Sequence, residues 1–285
     1  MKKIISYFVQ ALFVNFFFIL GRILGLKLSR KIFSFLFSFL GPFFKSRKVI
    51  DKNLDTFSKN ISVIEKEKII SNMWKNYGKT FIEYIYLNYF QKGNSHISVV
   101  GEENILDISR KNETVIFVSG HFANFELMSM EIVKKKIQLA TIYRPLNNFF
   151  LNPLMEYLRK KYVCENQIKK GINGVRQAIE FIKKEHSIAL MIDQRVSEGE
   201  RINFFNKPAL TTTLPAQLSI KFGITIVPVY IERTDDDNFN IEFLKSLNPK
   251  NFTDKIELSL ELNKILERMI IKNPSQWIWT HDRWK

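Results

Sequence analysis

One cysteine, Cys164, stands in 285 residues, so the chain cannot form an intrachain disulfide. That suits a reducing compartment, and the lone thiol reads as a small buried hydrophobe. Histidine is almost as scarce, at four residues, and neither an HExxH motif nor a Cys/His cluster occurs. Metal catalysis is therefore not expected, and no cofactor is. The serine elbow G-x-S-x-G is missing as well: Ser119 has Phe117 where the first glycine belongs. GKT at 78–80 lacks the first glycine of a phosphate loop, since position 73 is Met73, and no strand pattern precedes it. There is no internal repeat, and no linker-like stretch beyond the short polar loop TDDDN at 234–238.

The most informative absence is of acid at the amino end. Residues 1–50 hold nine Lys/Arg and no Asp or Glu, whereas 51–285 hold 34 bases and 28 acids. The net charge of +15 calls for an anionic partner, and the first 50 residues also carry 11 of the 26 phenylalanines. Basic charge mixed with Phe, Leu and Ile points to a membrane surface; a nucleic-acid tail would be basic and hydrophilic. Ile4 to Gly21 run 18 positions without a charge, about 27 Å as a helix, enough to cross a hydrocarbon core. No signal-peptide cleavage site follows. The next run, IFSFLFSFLGPFF at 32–44, is too short to span and is interrupted at Gly41-Pro42, which predicts a helix lying in the interface. Residues 1–44 are thus expected to be a membrane anchor, spanning or interfacial, with a catalytic domain over 45–285.

From 49 to about 93 the apolar spacing is helical, and beyond it the chain alternates. TVIFVS (114–119), QLATIY (138–143), IALMID (188–193), TIVPVYIE (225–232) and FNIEFL (239–244) read as strands. NFELMSMEIVKKK, FLNPLMEYLRKKY, GVRQAIEFIKKE, LPAQLSIKFG with Gly223 as its stop, and a last helix capped near Thr253 and ending before Pro274 read as helices. The pattern predicts an α/β fold with a mostly parallel central sheet flanked by helices, behind an N-terminal membrane-anchoring helical segment.

SGHFANFE at 119–126 joins one of these strands to the next helix. A His-x4-Glu pair is weak evidence by itself, because chance supplies such pairs readily. Five residues on a helix turn about 140°, so His121 and Glu126 cannot share a helix face. The pair makes chemical sense only if His121 sits on the corner after the strand, with Glu126 in the helix's first turns, its carboxylate reaching back to the ring. Gly120 permits such a corner, and the carboxyl edge of a parallel sheet is where α/β folds place ligands. A carboxylate on one ring nitrogen fixes the tautomer and leaves the other nitrogen free to take a proton from a hydroxyl. From the residues alone, a structural histidine remains the competing reading.

GHFANFE resembles the GHFGNWE-type block of the bacterial late acyltransferases of lipid A synthesis, within the lysophospholipid acyltransferase superfamily, whose mark is a His-x4-acid motif. IYRPLNN (142–148), MIDQ followed by INFFNKPALTTTLPAQLSIKFGITIVPV, NLDTFSK (53–59) and the terminal PSQWIWTHDRWK resemble further blocks of that family, in family order. Ala123 and Phe125 replace the commoner Gly and Trp, and Gln194 is followed by Arg195-Val-Ser, a departure that points to a loop after Asp193 suited to this chain's own substrate.

The resemblance implies a membrane-bound O-acyltransferase acting on a lipid A precursor. Its donor would be an acyl carrier protein thioester, used with no covalent acyl-enzyme. His121 would be the general base, Glu126 its orienting partner, and Arg144, Arg159 and Asp193 substrate-binding residues. It places the chain at the inner membrane with the catalytic domain on the cytoplasmic side, and its partners would be the carrier protein, a glycolipid and the membrane. A lysophospholipid, glycerol phosphate or other glycolipid acceptor is the alternative. A basic nucleic-acid module is a third reading, opposed by the gathering of charge at the apolar end. Trp277, Trp279 and Trp284 read as an aromatic cap on the core, or as interface anchors.

Overall fold

The computed structural model describes residues 1–93 and 95–285. Five strands run parallel because each is joined to the next by a helical crossover. These are β2 (Ile116–Ser119), β3 (Leu139–Tyr143), β4 (Asn166–Lys169), β5 (Ser187–Met191) and β8 (Ile226–Arg233), joined in the order β8-β2-β5-β3-β4. The crossovers contain α7 (Glu126–Lys134), α8 (Asn152–Tyr162), α9 (Ile172–Lys183) and α10 (Leu214–Phe222). β2 is buried at every position, as a strand covered on both faces must be, which is why its sequence is an unbroken apolar run. The loop after β8 is short and polar, so β9 (Phe239–Phe243) folds back antiparallel to β8, and β1 (Ile97–Val100) pairs parallel to β9. The sheet is thus seven-stranded and mostly parallel.

β1, α6 (Glu102–Lys111), β4 and the hairpin of β6 (Glu200–Phe204) and β7 (Lys207–Thr211) are not apparent in the sequence pattern. β1 and β4 are four-residue edge strands, β1 with no fully buried residue and β4 with one, Ile168. The hairpin turns at Phe205 and Asn206, both at positive φ (50° and 56°), without the Asn-Gly or Asp-Gly signature that would announce such a turn. α10 stops at Gly223 (φ 67°) as expected, while the cap of α11 (Lys255–Lys272) is Asp254, not Thr253.

The helical region resolves into α3 (Arg47–Phe57), α4 (Val63–Glu83), a 3-10 turn at Tyr84–Tyr86 and α5 (Leu87–Lys92). Ser62 caps α4 by accepting from the Glu65 N–H at 3.2 Å. GKT lies in α4 and is used for packing. A Cβ on Gly78 would stand 2.2 Å from the Phe33 carbonyl oxygen, Lys79 pairs with Asp237 at 2.6 Å, and Thr80 donates to the Ala123 carbonyl at 2.9 Å.

The amino end forms two helices, α1 (Lys2–Leu24) and α2 (Leu26–Phe44), hinged at Gly25 (φ 76°). α1 is long and apolar enough to cross a membrane. α2 begins earlier than the apolar run at 32 and carries on through Pro42. It is also built into the body. Phe33 is buried, and the Trp74 ring lies against Gly41 where a Cβ would not fit. Arg30 meets the fully buried Glu83 at 2.6 Å, and Arg233 at the end of β8 holds the same carboxylate at 2.5 Å. One buried anion between two guanidiniums joins α2, α4 and the sheet.

Candidate active site

β2 and β5 are in parallel register with Ser119 beside Met191, so the chain leaves both strands at the same carboxyl edge. Two residues further along each strand stand His121 and Asp193. The Asp193 side chain is 3% exposed and the His121 ring 20%. His121 Nδ1 lies 2.8 Å from Asp193 Oδ1. A carboxylate can only accept there, so Nδ1 carries the proton. The other oxygen, Oδ2, accepts the backbone N–H of His121 and the indole N–H of Trp277, each at 2.9 Å. His121 Nε2 makes no hydrogen bond among the described residues. The Phe125 ring packs edge-on against the imidazole at 4.7 Å.

These contacts set the charges. Burial works against the Asp193 anion. The positive ring of His121 and the hydrogen bonds from His121 and Trp277 outweigh it, and hold the carboxyl down at about 2. Burial likewise opposes the imidazolium, but the charge and hydrogen bond of Asp193 prevail and raise the His121 pKa above its ordinary 6.5.

Glu126 opens α7 as the sequence predicts, yet its carboxylate does not reach back to the ring. Oε1 instead accepts from Arg159 Nε at 2.8 Å, from Arg159 Nη2 at 2.6 Å and from the Tyr84 hydroxyl at 2.7 Å. Arg159 also stacks over the Tyr84 and Tyr143 rings, 5.8 and 5.5 Å from their centroids. The carboxylate oriented on His121 is that of Asp193. The structure therefore joins His121 to Asp193 and Glu126 to Arg159. Arg144 is exposed at the end of β3, on the same sheet edge, and forms no ion pair among the described residues. Lys170 leaves β4 beside it. Burial and the Arg144 charge lower the Lys170 pKa.

The carboxy-terminal segment frames the corner. Phe122 bridges to Trp277, Ala123 N donates to the Gln276 carbonyl at 3.2 Å, and the Gln276 side chain clasps the Arg233 backbone from both sides. Asn124 donates to Glu83 at 2.9 Å, tying the same corner to the Arg30–Glu83–Arg233 cluster. Trp277, Trp279 and Trp284 are buried, so they cap the core and do not face a membrane. His281 Nε2 accepts the Arg195 backbone N–H at 3.0 Å, and the buried Arg195 Nε has no hydrogen-bond partner among the described residues. A cavity of about 1010 Å³ lies elsewhere, between α3 and the β6–β7 turn, and none of these residues lines it. Its lysines and aspartates make it a solvated cleft, and the geometry at His121 outweighs its size.

A family model of bacterial lipid A biosynthesis acyltransferases matches residues 2–285. The chain belongs to that family. It is accordingly an O-acyltransferase of lipid A biosynthesis. It is 27% identical over 251 residues to the lipid A biosynthesis palmitoleoyltransferase of Escherichia coli, covering 86% of this chain and 80% of that protein. The lipid A biosynthesis acyltransferase of Shigella flexneri matches to the same extent. The E. coli lauroyltransferase is 23% identical over 252 residues, 85% of this chain and 80% of the relative. Among solved structures, the 1-acyl-sn-glycerophosphate acyltransferase of Thermotoga maritima covers 89% of this chain and 100% of its own, at 15% identity and a TM-score of 0.44.

The acid nearest His121 in the chain is Glu126, the partner expected from the sequence. The observed partner lies 72 residues away, across a strand pair. The signal was present as two apolar segments, VIFVSGH and ALMID, each reaching a titratable residue two positions past its strand end. Tyr84, on a helix read only for its periodicity, carried no signal of its own.

Proposed function

We propose that the chain moves a fatty acyl group from an acyl carrier protein thioester to a hydroxyl of a lipid A precursor, at the cytoplasmic face of the inner membrane. The observation that carries this reading is the orientation of His121: Nδ1–H is held by Asp193, and Nε2 is free at the partly exposed carboxyl edge of the sheet. In the reaction, Nε2 takes the proton of the acceptor hydroxyl as its oxygen attacks the thioester carbonyl. The tetrahedral intermediate collapses, the C–S bond breaks, and the imidazolium returns its proton to the departing thiolate. Asp193 stabilises the imidazolium while it lasts and forbids the other tautomer. The scheme needs no acyl-enzyme: among the described residues no serine or cysteine side chain hydrogen-bonds the His121 ring, and Cys164 is buried, its thiol pushed up to about 11.

Glu126 has a different part in this scheme. It neutralises Arg159 and fixes the start of α7, so it shapes the wall beside the ring and does not touch the transferred proton. Arg144, exposed and unpaired, suits a phosphate of the acceptor, since a guanidinium binds phosphate through two parallel hydrogen bonds.

The decisive experiment is an assay of the purified full-length chain with acyl carrier protein thioester and a lipid A precursor, read by mass spectrometry. The reading predicts one added acyl chain, dependent on His121, with the carrier preferred to acyl-coenzyme A at 50 mM salt and that advantage shrinking at 300 mM as screening grows. Efficient transfer from coenzyme A with no salt effect on the carrier would reject the carrier as donor.

A further inference from the structure

Four neighbouring strands end in one row. Val118 of β2, Leu190 of β5, Ile142 of β3 and Ile168 of β4 are successive register partners across the sheet. Two positions further along come Gly120, Ile192, Arg144 and Lys170. The Lys170 N–H still donates to the Tyr143 carbonyl at 2.8 Å, so the ladder holds to that point. Arg144 and Lys170 are therefore cross-strand neighbours, about 5 Å apart at the backbone, and they stand about 10 and about 14 Å from the His121 corner. Like charges set opposite each other in a sheet are destabilising. Among the described residues neither of these two is in an ion pair. Lys169, one residue back and so on the other face, is paired with Glu156 at 3.1 Å. Burial and the Arg144 charge lower the Lys170 pKa, and the charge of Glu198 offsets them only in part.

Glu198 sits on the loop that leaves β5 just past Asp193, so that loop runs across the end of β3 toward β4. It carries a further cation, Arg195. His281 fixes the Arg195 backbone, and the buried Nε has no hydrogen-bond partner among the described residues. A charged donor shielded from water without an acceptor is costly. We propose that Arg195, Arg144 and Lys170 form a subsite that seats a phosphate group of the acceptor, about 10–14 Å along the sheet edge from His121. This rests on the acceptor reading above and extends it from Arg144 to the whole row. A phosphate monoester carries up to about two negative charges and three acceptor oxygens, which suits several cations at once. The carrier's prosthetic arm brings a phosphate too, but as a diester with a single charge. Seating the acceptor this way selects which hydroxyl reacts: one that lies about 10–14 Å from the bound phosphate.

The test uses the purified full-length chain in detergent with the carrier thioester and a lipid A precursor, either intact or stripped of its phosphates enzymatically. Wild type is expected to prefer the intact acceptor about 10–100-fold in kcat/KM, mostly through KM. Lys170→Ala and Arg195→Ala are each expected to cut that preference about tenfold, and Lys170→Arg to restore most of it. Lys250→Ala, an exposed lysine outside the row, keeps the preference. Lys170→Ala also relieves repulsion, so it is expected to melt no lower than wild type. A wild type without the preference, or variants that lose equally on both acceptors, would overturn the proposal. So would a loss seen with the carrier but not with acyl-pantetheine, which lacks the phosphate, because the anion would then belong to the donor. Calorimetric titration with the precursor, without donor, separates binding from reaction. Binding that depends on Lys170 and on the phosphates, without transfer, would reject the reaction and support the subsite.

Discussion

Two buried carboxylates flank the corner at 119–126, and they are used in opposite ways. Asp193 turns both oxygens onto the corner itself, to the His121 ring, the His121 backbone and Trp277. Glu126 turns Oε1 away from it, to Arg159 and Tyr84. One acid is met by N–H groups that a protonation event at His121 would affect. The other is met by a permanent cation. The difference teaches that closeness in sequence placed Glu126 beside the corner, while strand register placed Asp193 on the His121 ring.

The largest expected effect comes from His121→Ala. Loss of a general base costs about 10²–10⁴-fold in kcat, and the upper end is expected here, with secondary structure and melting temperature close to wild type. A variant retaining a third of wild-type turnover would remove His121 from the chemistry and make the comparison pointless. Asp193→Asn comes next and can approach about 10⁴-fold, because the imidazolium loses its counter-charge and the amide can present the wrong polarity to Nδ1. Glu126→Gln acts mainly on stability. It leaves the Arg159 guanidinium, 12% exposed, without its anion, which costs about 3 kcal/mol in chemical denaturation, with activity loss following the loss of fold. A stable Glu126→Gln protein that was as dead as His121→Ala would put Glu126 back in the proton path. The smallest effect belongs to Trp277→Phe. It deletes one N–H donor to Asp193 and costs about 1 kcal/mol, seen as a few-fold fall in kcat at unchanged KM.

The sheet was legible because buried parallel strands are apolar over most of their length, and β2, β5 and β8 are, with polar residues only at their ends. Residues 97–111 and the hairpin were not, since edge strands and a turn through Phe205 carry no strong local pattern. The amino-terminal apolar runs signal lipid, but composition cannot distinguish a face turned to lipid from one turned to α4. Phe33 and Phe35 look alike in sequence, yet one is 1% exposed and the other 69%. Arg30 would have been counted among the basic charges facing a membrane. It is the buried partner of Glu83. Arg159 lies in LRKKY, a stretch with the look of a solvated helix face, and only the fold turns it inward to Glu126.

The central claim is that Asp193, not Glu126, governs the proton affinity of His121, and the pH profile of kcat/KM tests it most directly. In the proposed scheme His121 must be neutral to act, so activity is expected to fall on the acid side as it protonates, at a pKa that Asp193 raises above 6.5. Removing the Asp193 charge destabilises the imidazolium, lowers that pKa and moves the acid limb to lower pH. Glu126 contributes to the same shift less than Asp193 does. Profiles of wild type, Asp193→Asn and Glu126→Gln should therefore show the limb moving down furthest in Asp193→Asn. A limb that stays in place in Asp193→Asn and moves down in Glu126→Gln would contradict the account.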